Sequence, residues 1–318
     1  MAAIDDPALL EVEAALRRVD PNGTRFANTL RRTFDQIYDG RNTGRFSWEQ
    51  LRKTEKTHFG SLIEINLQRE FRTEFDDGLL LDYRIAGHEV DCKWAQMNGE
   101  RDGSWMLPPE VVGQICLVVT GSDNLAVWSA GLVRALPSLI SSTSNRDEKK
   151  HLTTEGRDKI QWIWRRVALP ENILLRIDPA DLKAIMIDLD GPRKGQKRLN
   201  ELFRRVTNRI IGRGVVSTVA QQHDYMKRVR ENGGSREKLR PEGIVVFGDY
   251  QAHREYAQAL GLPRIGEGDC VSARLIRVPG SGKETVEIGG AWYRICQPGE
   301  EPTKPAPKLS STISTKRT

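Results

Sequence analysis

Residues 79–94 read LLLDYRIAGHEVDCKW, and the placing of the charged groups in this stretch decides how the first half of the chain is understood. Apolar and polar residues alternate on both sides of Gly87-His88, the pattern of a β-hairpin. Residues two apart on a strand face the same way, so Asp91 and Lys93 share a face, and Asp82 comes alongside from the paired strand. Carboxylates and an ammonium group at one buried edge repel or mispair unless a cation organises them, and carboxylate oxygens suit a hard ion such as Mg²⁺. An acid, a gap of eight residues, then Asp-x-Lys is therefore the skeleton of a metal-dependent nuclease site.

Glu64 is the next member of the set. It lies in a helical run, SLIEINLQREF, beside Ile63 and Ile65, which point towards a core. In the mechanism this predicts, Asp82, Asp91 and the Cys92 carbonyl bind Mg²⁺, and Glu64 binds it through water or holds a second ion. Lys93 steers and polarises the attacking water, and the metal stabilises the charge of the transition state. Asp-x-Lys by itself is common and more often marks a solvated strand face; the companions Asp82 and Glu64 turn it towards chemistry. His88, in the hairpin turn, reads as a surface residue.

Upstream of this stretch, apolar residues recur at three and four over 7–38, with a turn at Pro21-Asn22-Gly23. The spacing predicts further helices over 47–53 and from Ser61 to Phe75. Downstream, QICLVVTGS and AVWSAGLVRAL read as buried strands and residues 154–165 as a helix. The first half is expected to be α/β, a mixed sheet flanked by helices. The pattern lapses near Pro170, which predicts a domain over 1–162, a linker over 163–171, a second domain over 172–297 and a disordered Pro/Lys/Ser/Thr-rich tail over 298–318.

The second half carries the basic charge. From Arg193 to Arg240 there are fourteen Lys/Arg against four Asp/Glu, while the 318-residue chain as a whole is only +6. LNELFRRVTNRI is amphipathic, and RGVVSTVAQ followed by HDYMKRVREN predicts a helix-turn-helix. Its second helix would present Gln222, His223, Lys227, Arg228 and Arg230 to a DNA groove, where arginine can read guanine and glutamine adenine. Short strands follow at GIVVFG, CVSARLIRV and TVEIGGAWYRI. The loop PGSGKE superficially resembles a phosphate-binding loop, but Arg277 and Glu284 replace its first glycine and its Ser/Thr, so no nucleotide cofactor is expected.

Other classes are disfavoured. Mean hydropathy is −0.52, and no apolar run approaches a membrane span. The acidic N-terminus lacks a signal-peptide pattern, and the four cysteines (92, 116, 270, 296) are scattered, so a cytoplasmic protein without a disulfide framework is expected. Five dispersed histidines offer no zinc ligand pair.

The wider sequence resembles the NaeI-type restriction endonucleases. The resemblance is carried by DQIYDGRNTGRFSWEQLRKTEKTHFGSLIEINLQREF, LDYRIAGHEVDCKW, SWMLPPE, LNELFRRV, IIGRGVV, TVAQQHDYMKRVR and LRPEGIVV, in the family's order over roughly residues 10 to 295. It implies a restriction-endonuclease-like nuclease domain of the PD-(D/E)-x-K class and a C-terminal winged-helix (CAP-like) DNA-binding domain. The family's catalytic acids and lysine fall on Glu64, Asp82, Asp91 and Lys93. It further implies Mg²⁺-dependent double-strand cleavage at a palindrome, GCCGGC, leaving 5′-phosphate and 3′-hydroxyl ends, by a homodimer activated by a second copy of its site. Ile37-Tyr38-Asp39-Gly40 resembles the nucleotidyl-lysine motif of DNA ligases, but an isoleucine cannot form a phosphoramidate; the residues read as a helix ending at Asp-Gly. Two other functions compete: a DNA-binding regulator whose nuclease half is dead, and a repair nicking enzyme.

Overall fold

Asp6 accepts a hydrogen bond from the Leu9 amide at 3.1 Å and Pro7 takes the first helical position, so helix α1 (Pro7–Val19) starts with a well-satisfied N-terminus. Gly23 turns the chain at φ +70°, where a Cβ would meet the Trp128 ring at 2.8 Å. Helix α2 (Thr24–Tyr38) follows, then a short α3 (Gly40–Thr43) entered through Asp39 in the left-handed region at φ 46°. The helix thus does end at Asp-Gly. The computed structural model describes residues 6–187, 194–302 and 304–309, and these fall into two units. One comprises Met1–Ile37 and Ser47–Glu171; the other comprises Tyr38–Phe46, with α3, and Asn172–Thr318.

In the first unit the expected helix over 47–53 is a single 3-10 turn, Trp48–Gln50. Helix α4 (Lys53–Glu70) begins eight residues before Ser61, because the Arg52 amide is capped by the Glu55 carboxylate at 2.8 Å. The strands are β1 (Asp76–Asp77), β2 (Tyr83–Ile85), β3 (His88–Gln96), β4 (Met106–Leu107), β5 (Ile115–Ser122), β6 (Val127–Arg134), β7 (Lys150–His151) and, after helix α5 (Thr154–Asp158), β8 (Gln161–Ala168). Six of them form one mixed sheet in the order β1-β2-β3-β5-β6-β8, in which only β3 and β5 run parallel. Strands β4 and β7 pair separately.

The β2–β3 hairpin stands where the alternation placed it, turning through Ala86 and Gly87 at φ 53° and 84°. The helix expected over 154–165 is corrected. Thr153 caps a helix start, donated to by the Gly156 amide at 3.0 Å, but the helix ends at Asp158 and the chain becomes β8. The sheet's two faces are packed differently. Phe26, Phe34, Phe59, Trp94, Trp128 and Trp164 join α2 and α4 to one face through ring contacts. The other face is covered by Trp105, Leu107, Val111, Ile140 and Leu152, packed on Ala95, Cys116 and Val118.

The second unit contains helices α6 (Pro179–Met186), α7 (Lys194–Arg205), α8 (Arg213–Ala220), α9 (Ser235–Lys238) and α10 (Gln251–Ala259). The amphipathic run is α7; its Leu199, Leu202 and Phe203 are fully buried with Val216 and Val219 of α8. The polar loop DGPRKGQKR lies partly outside the described residues; from Lys194 on it is helix. Strands β9 (Ile244–Phe247), β10 (Val271–Val278), β11 (Val286–Ile288) and β12 (Ala291–Ile295) form an antiparallel sheet in the order β11-β12-β10-β9. PGSGKE is the loop between β10 and β11, as its sequence indicates.

Two expectations fail here. HDYMKRVREN does not form a second long helix; it is a four-residue 3-10 turn, Tyr225–Arg228. The buried Gln196 side chain takes the Arg228 carbonyl at 3.0 Å, a group that a continuing helix would need, and Gly234 lies against the Arg230 carbonyl. The expected tail disorder also fails over 304–309: the Ala306 amide donates to the Arg240 carbonyl at 2.8 Å, and Ala306 is buried. Residues 303 and 310–318 of that tail lie outside the described residues.

Candidate active site

The β2–β3 register pairs Tyr83 with Val90; carried one residue further it sets Asp82 opposite Asp91. At that point β2 has ended, and the Asp82 carboxylate takes over its role. Asp82 Oδ2 accepts the Cys92 amide at 2.7 Å, where a strand carbonyl would otherwise stand. Asp91 and Lys93 share a face of β3, as the alternation requires. The Lys93 ammonium lies 2.8 Å from Asp91 Oδ1, 2.7 Å from Asp91 Oδ2, 3.1 Å from the Cys92 carbonyl and 3.7 Å from Asp82 Oδ2.

Glu64 arrives from α4. Phe59, Ile63 and Leu67 form that helix's buried stripe, which turns the neighbouring Glu64 to the edge of the interface. The Tyr83 hydroxyl donates to the Glu64 carbonyl at 2.8 Å and ties the helix to β2. The structure thus brings Glu64, Asp82, Asp91, Cys92 and Lys93 into one neighbourhood. His88 is elsewhere, paired with Glu11 at 2.7 Å.

Burial governs the electrostatics. Asp91 is only 4% exposed, and desolvation pushes its carboxyl up to about 6; the Lys93 ammonium opposes this, while Asp82 and Glu110 add to it. Lys93 feels the same desolvation, its largest single influence, which would lower it, but the charge and hydrogen bond of Asp91 together with the charge of Asp82 outweigh burial and hold the ammonium charged. An ion pair alone would lower the acid as it raises the base; that both rise shows burial dominating at Asp91. Burial, then Asp82, raises Glu64 too. Asp91 Oδ2 has no well-aligned hydrogen bond although the ammonium is close, so it keeps acceptor capacity.

Carboxylate and carbonyl oxygens are the ligands a hard divalent cation takes. Here Asp82, Asp91 and the Cys92 carbonyl surround one cationic group already, the ammonium of Lys93, so the donor set fits a cation. Among the described residues no three His, Cys, Asp or Glu side chains converge on one point. A metal would therefore rest on two carboxylates and a main-chain oxygen, with Glu64 beyond them.

The cluster opens into a groove of about 1020 Å³ within the first unit, lined by Glu64, Cys92 and Lys93. Lys53, Lys56, Lys149 and Arg157 also line it, interspersed with Asp102, Glu110 and Asp147; sequence reading missed these cations because it placed DNA contacts in the second unit alone. Glu110, whose charge reaches Asp91, was missed as well; its only signal was its place in the quoted SWMLPPE segment.

The residues proposed to read DNA in the second unit are not presented by one helix. His223, Lys227 and Arg230 are exposed around the 3-10 turn. Gln222 and Arg228 are half-buried, Gln222 against Gly195 and Arg228 near Asp224 at 3.6 Å.

Residues 10–304 match the family model described as restriction endonuclease NaeI. The chain is 47% identical over 300 residues to the type II restriction enzyme NaeI of Lentzea aerocolonigenes, an alignment covering 93% of this chain and 92% of that protein. With the acid–lysine cluster in place and the match running through both units, the chain belongs to the NaeI family of type II restriction endonucleases.

Proposed function

We propose that this protein cuts double-stranded DNA at a short palindrome, GCCGGC, using Mg²⁺ at the Asp82/Asp91/Cys92 cluster and leaving 5′-phosphate and 3′-hydroxyl ends. The observation that carries the reading is the Lys93 ammonium held charged among two carboxylates and a carbonyl in a groove that Lys53, Lys56, Lys149 and Arg157 also line. Asp82, Asp91 and the Cys92 carbonyl hold the metal, with Glu64 as an outer ligand or the holder of a second ion. Bound there, Mg²⁺ would supply positive charge to the non-bridging phosphate oxygen and lower the pKa of water. Lys93, already protonated, orients the attacking water against the phosphate. The water gives up a proton to solvent as its oxygen bonds to phosphorus, the bond to the 3′ oxygen breaks, and that oxygen takes a proton from solvent to leave as the hydroxyl.

The second unit is the DNA-reading domain in this proposal, a winged helix in which α7 and α8 precede the antiparallel sheet. Its surface residues Gln222, His223, Lys227, Arg228 and Arg230 engage DNA; the local excess of ten positive charges over 193–240 supports this. Two DNA-binding surfaces, one in each unit, suit a homodimer activated by a second site.

Plasmid digestion with Mg²⁺ tests the reading. Discrete bands whose sequenced ends share one palindrome are expected, and Asp91→Ala should abolish cleavage while DNA binding persists. Tight binding without cleavage at any Mg²⁺ concentration would instead identify a regulator, and nicks at mismatches a repair enzyme.

A further inference from the structure

We propose that the two-residue hairpin turn Asn98–Arg101, just beyond the end of β3, reads base edges at the cleavage site, with Arg101 contacting a guanine and Asn98 the neighbouring base. This rests on the cleavage reading above and assigns part of its sequence specificity to the nuclease unit.

Asn98 and Arg101 exchange both main-chain hydrogen bonds at 3.1 Å, so they sit directly opposite and their side chains leave the same face of the turn. Both are exposed, and both line the groove that contains Glu64, Cys92 and Lys93. Gly99 holds φ +59° at the first central position, the place a type II′ hairpin reserves for glycine.

The turn is anchored on three sides. Met97 donates its amide to the Gly121 carbonyl at 3.1 Å, and Arg166 donates to the Glu100 carbonyl at 3.0 Å. On the return, the Gly103 amide donates to Thr120 Oγ1 at 3.2 Å, and the Trp105 indole to the Val119 carbonyl at 2.9 Å. A side chain at Gly103 would strike Ala95, with a Cβ only 2.3 Å from its Cβ, so the loop folds closely onto β3.

A rigid mount matters because base reading needs a fixed fork, whereas phosphate neutralisation tolerates flexible lysines such as Lys53, Lys56 and Lys149 around the groove. Arginine and asparagine are the side chains with bidentate matches to guanine and adenine. The flanking residues add a second observation: Gln96 Oε1 and Asp102 Oδ1 also border the groove, buried and without a hydrogen-bond partner. Such atoms are costly to leave unpaired. Turned into the groove, they can accept from a base amino group, such as that of cytosine.

The test uses the full-length protein with Mg²⁺ and duplexes carrying the site found from wild-type product ends, each with one base pair replaced. Arg101→Ala should cut the intact site about tenfold to a hundredfold more slowly but lose little on duplexes already changed at one position, so discrimination there collapses. Replacing the guanine at that position by 7-deazaguanine should slow the wild type and leave Arg101→Ala unaffected. Arg101→Lys should behave like the alanine variant, since an ammonium lacks the fork. An equal slowing on every duplex, or recovery by Arg101→Lys, would show a phosphate contact and overturn the proposal. Unchanged thermal melting excludes misfolding as the cause. A wild type that yields no discrete ends would refute the cleavage reading; discrete ends with unaltered discrimination in the variants would refute this assignment alone.

Discussion

Replacing Asp91 by Asn should remove cleavage and at the same time make the protein more stable. The carboxyl is 4% exposed and pushed from 3.8 up to about 6, chiefly by burial, with Lys93 opposing and Asp82 and Glu110 adding. An acid whose folded pKa is raised binds its proton more tightly when folded. It therefore costs nothing below about pH 3.8, and stability falls as the pH rises from there to about 6. The shift of roughly two units corresponds to about 3 kcal/mol at most. Asparagine is the nearest shape to the protonated acid and carries no charge to bury.

In metal-free buffer at pH 8, Asp91→Asn should thus gain up to about 3 kcal/mol, which for a unit of this size raises Tm by roughly 6–12 °C. The gain should shrink to nothing near pH 4. Denaturant unfolding and thermal melts across pH 4–8 measure it. Adding Mg²⁺ should narrow the gap, because a ligand bound by the folded wild type stabilises it in proportion to ln(1 + [L]/Kd). A variant less stable than wild type at pH 8, or a difference independent of pH, would refute the claim that the site is assembled at the expense of stability.

Asp82 predicts the opposite sign: Asp82→Ala leaves the buried Cys92 amide without an acceptor and should destabilise by about 1–3 kcal/mol in a denaturant titration, as well as abolish cleavage. Glu89 accepts the amides of Leu79, Leu80 and Leu81 at 3.0, 3.0 and 2.9 Å, which hold its carboxyl below the usual range and shape the loop that delivers Asp82. Glu89→Gln should slow cleavage, by up to about a hundredfold for a displacement near 1 Å, with DNA binding intact. His253 is buried with its Nδ1 accepting the Gly248 amide at 3.1 Å; burial, then Arg236, lowers it to about 4, against a smaller opposing pull from Asp249. Only the unfolded chain is protonated between about 6.5 and 4, so stability is full above that window and falls through it, by about 3 kcal/mol at most. In His253→Asn that loss, followed by melts from pH 7 to 4, should vanish.

Much of the site was legible because its signals are local. A tight turn and a period of two fix which residues of the hairpin share a face, so Asp91 and Lys93 had to meet. Glu64 was harder, since its approach depends on α4 crossing β3, but the apolar stripe beside it gave its direction. Strand β8 was misread for a physical reason. Its register against β6 slips between Ala130 and Gly131, which pair with Trp164 and Trp162. Ile163 is the extra residue, and it reverses the phase: Trp162 meets Trp105 on one face of the sheet while Trp164 meets Phe26 and Trp128 on the other. Alternation broken in this way reads as a helix period. The groove-lining turn at Asn98 was invisible because polar loop residues carry no periodicity, and its partners Thr120 and Arg166 lie on strands far along the chain.

The position of the site follows from where the sheet stops being complete. Strand β2 pairs with β3 only from Tyr83 to Ile85, so beyond Asp91 the outer edge of β3 has no strand partner among the described residues. An open edge exposes amides and carbonyls that invite wrong pairing, and proteins usually protect it. Here the protection is made of the side chains proposed to do the chemistry: Asp82 takes the Cys92 amide, and Lys93 takes the Cys92 carbonyl. The amide and the carbonyl of one main-chain residue are thus both satisfied by charged groups rather than by a strand, and the remaining edge to Gln96 forms the wall of the groove. Extending β2 by two residues would complete the sheet and fill the place that the proposed mechanism gives to the phosphate. In the proposed mechanism the short β2 therefore belongs to the site as much as the acids do, and the loop from Gly78 to Asp82, held by Glu89, is what separates it from β1.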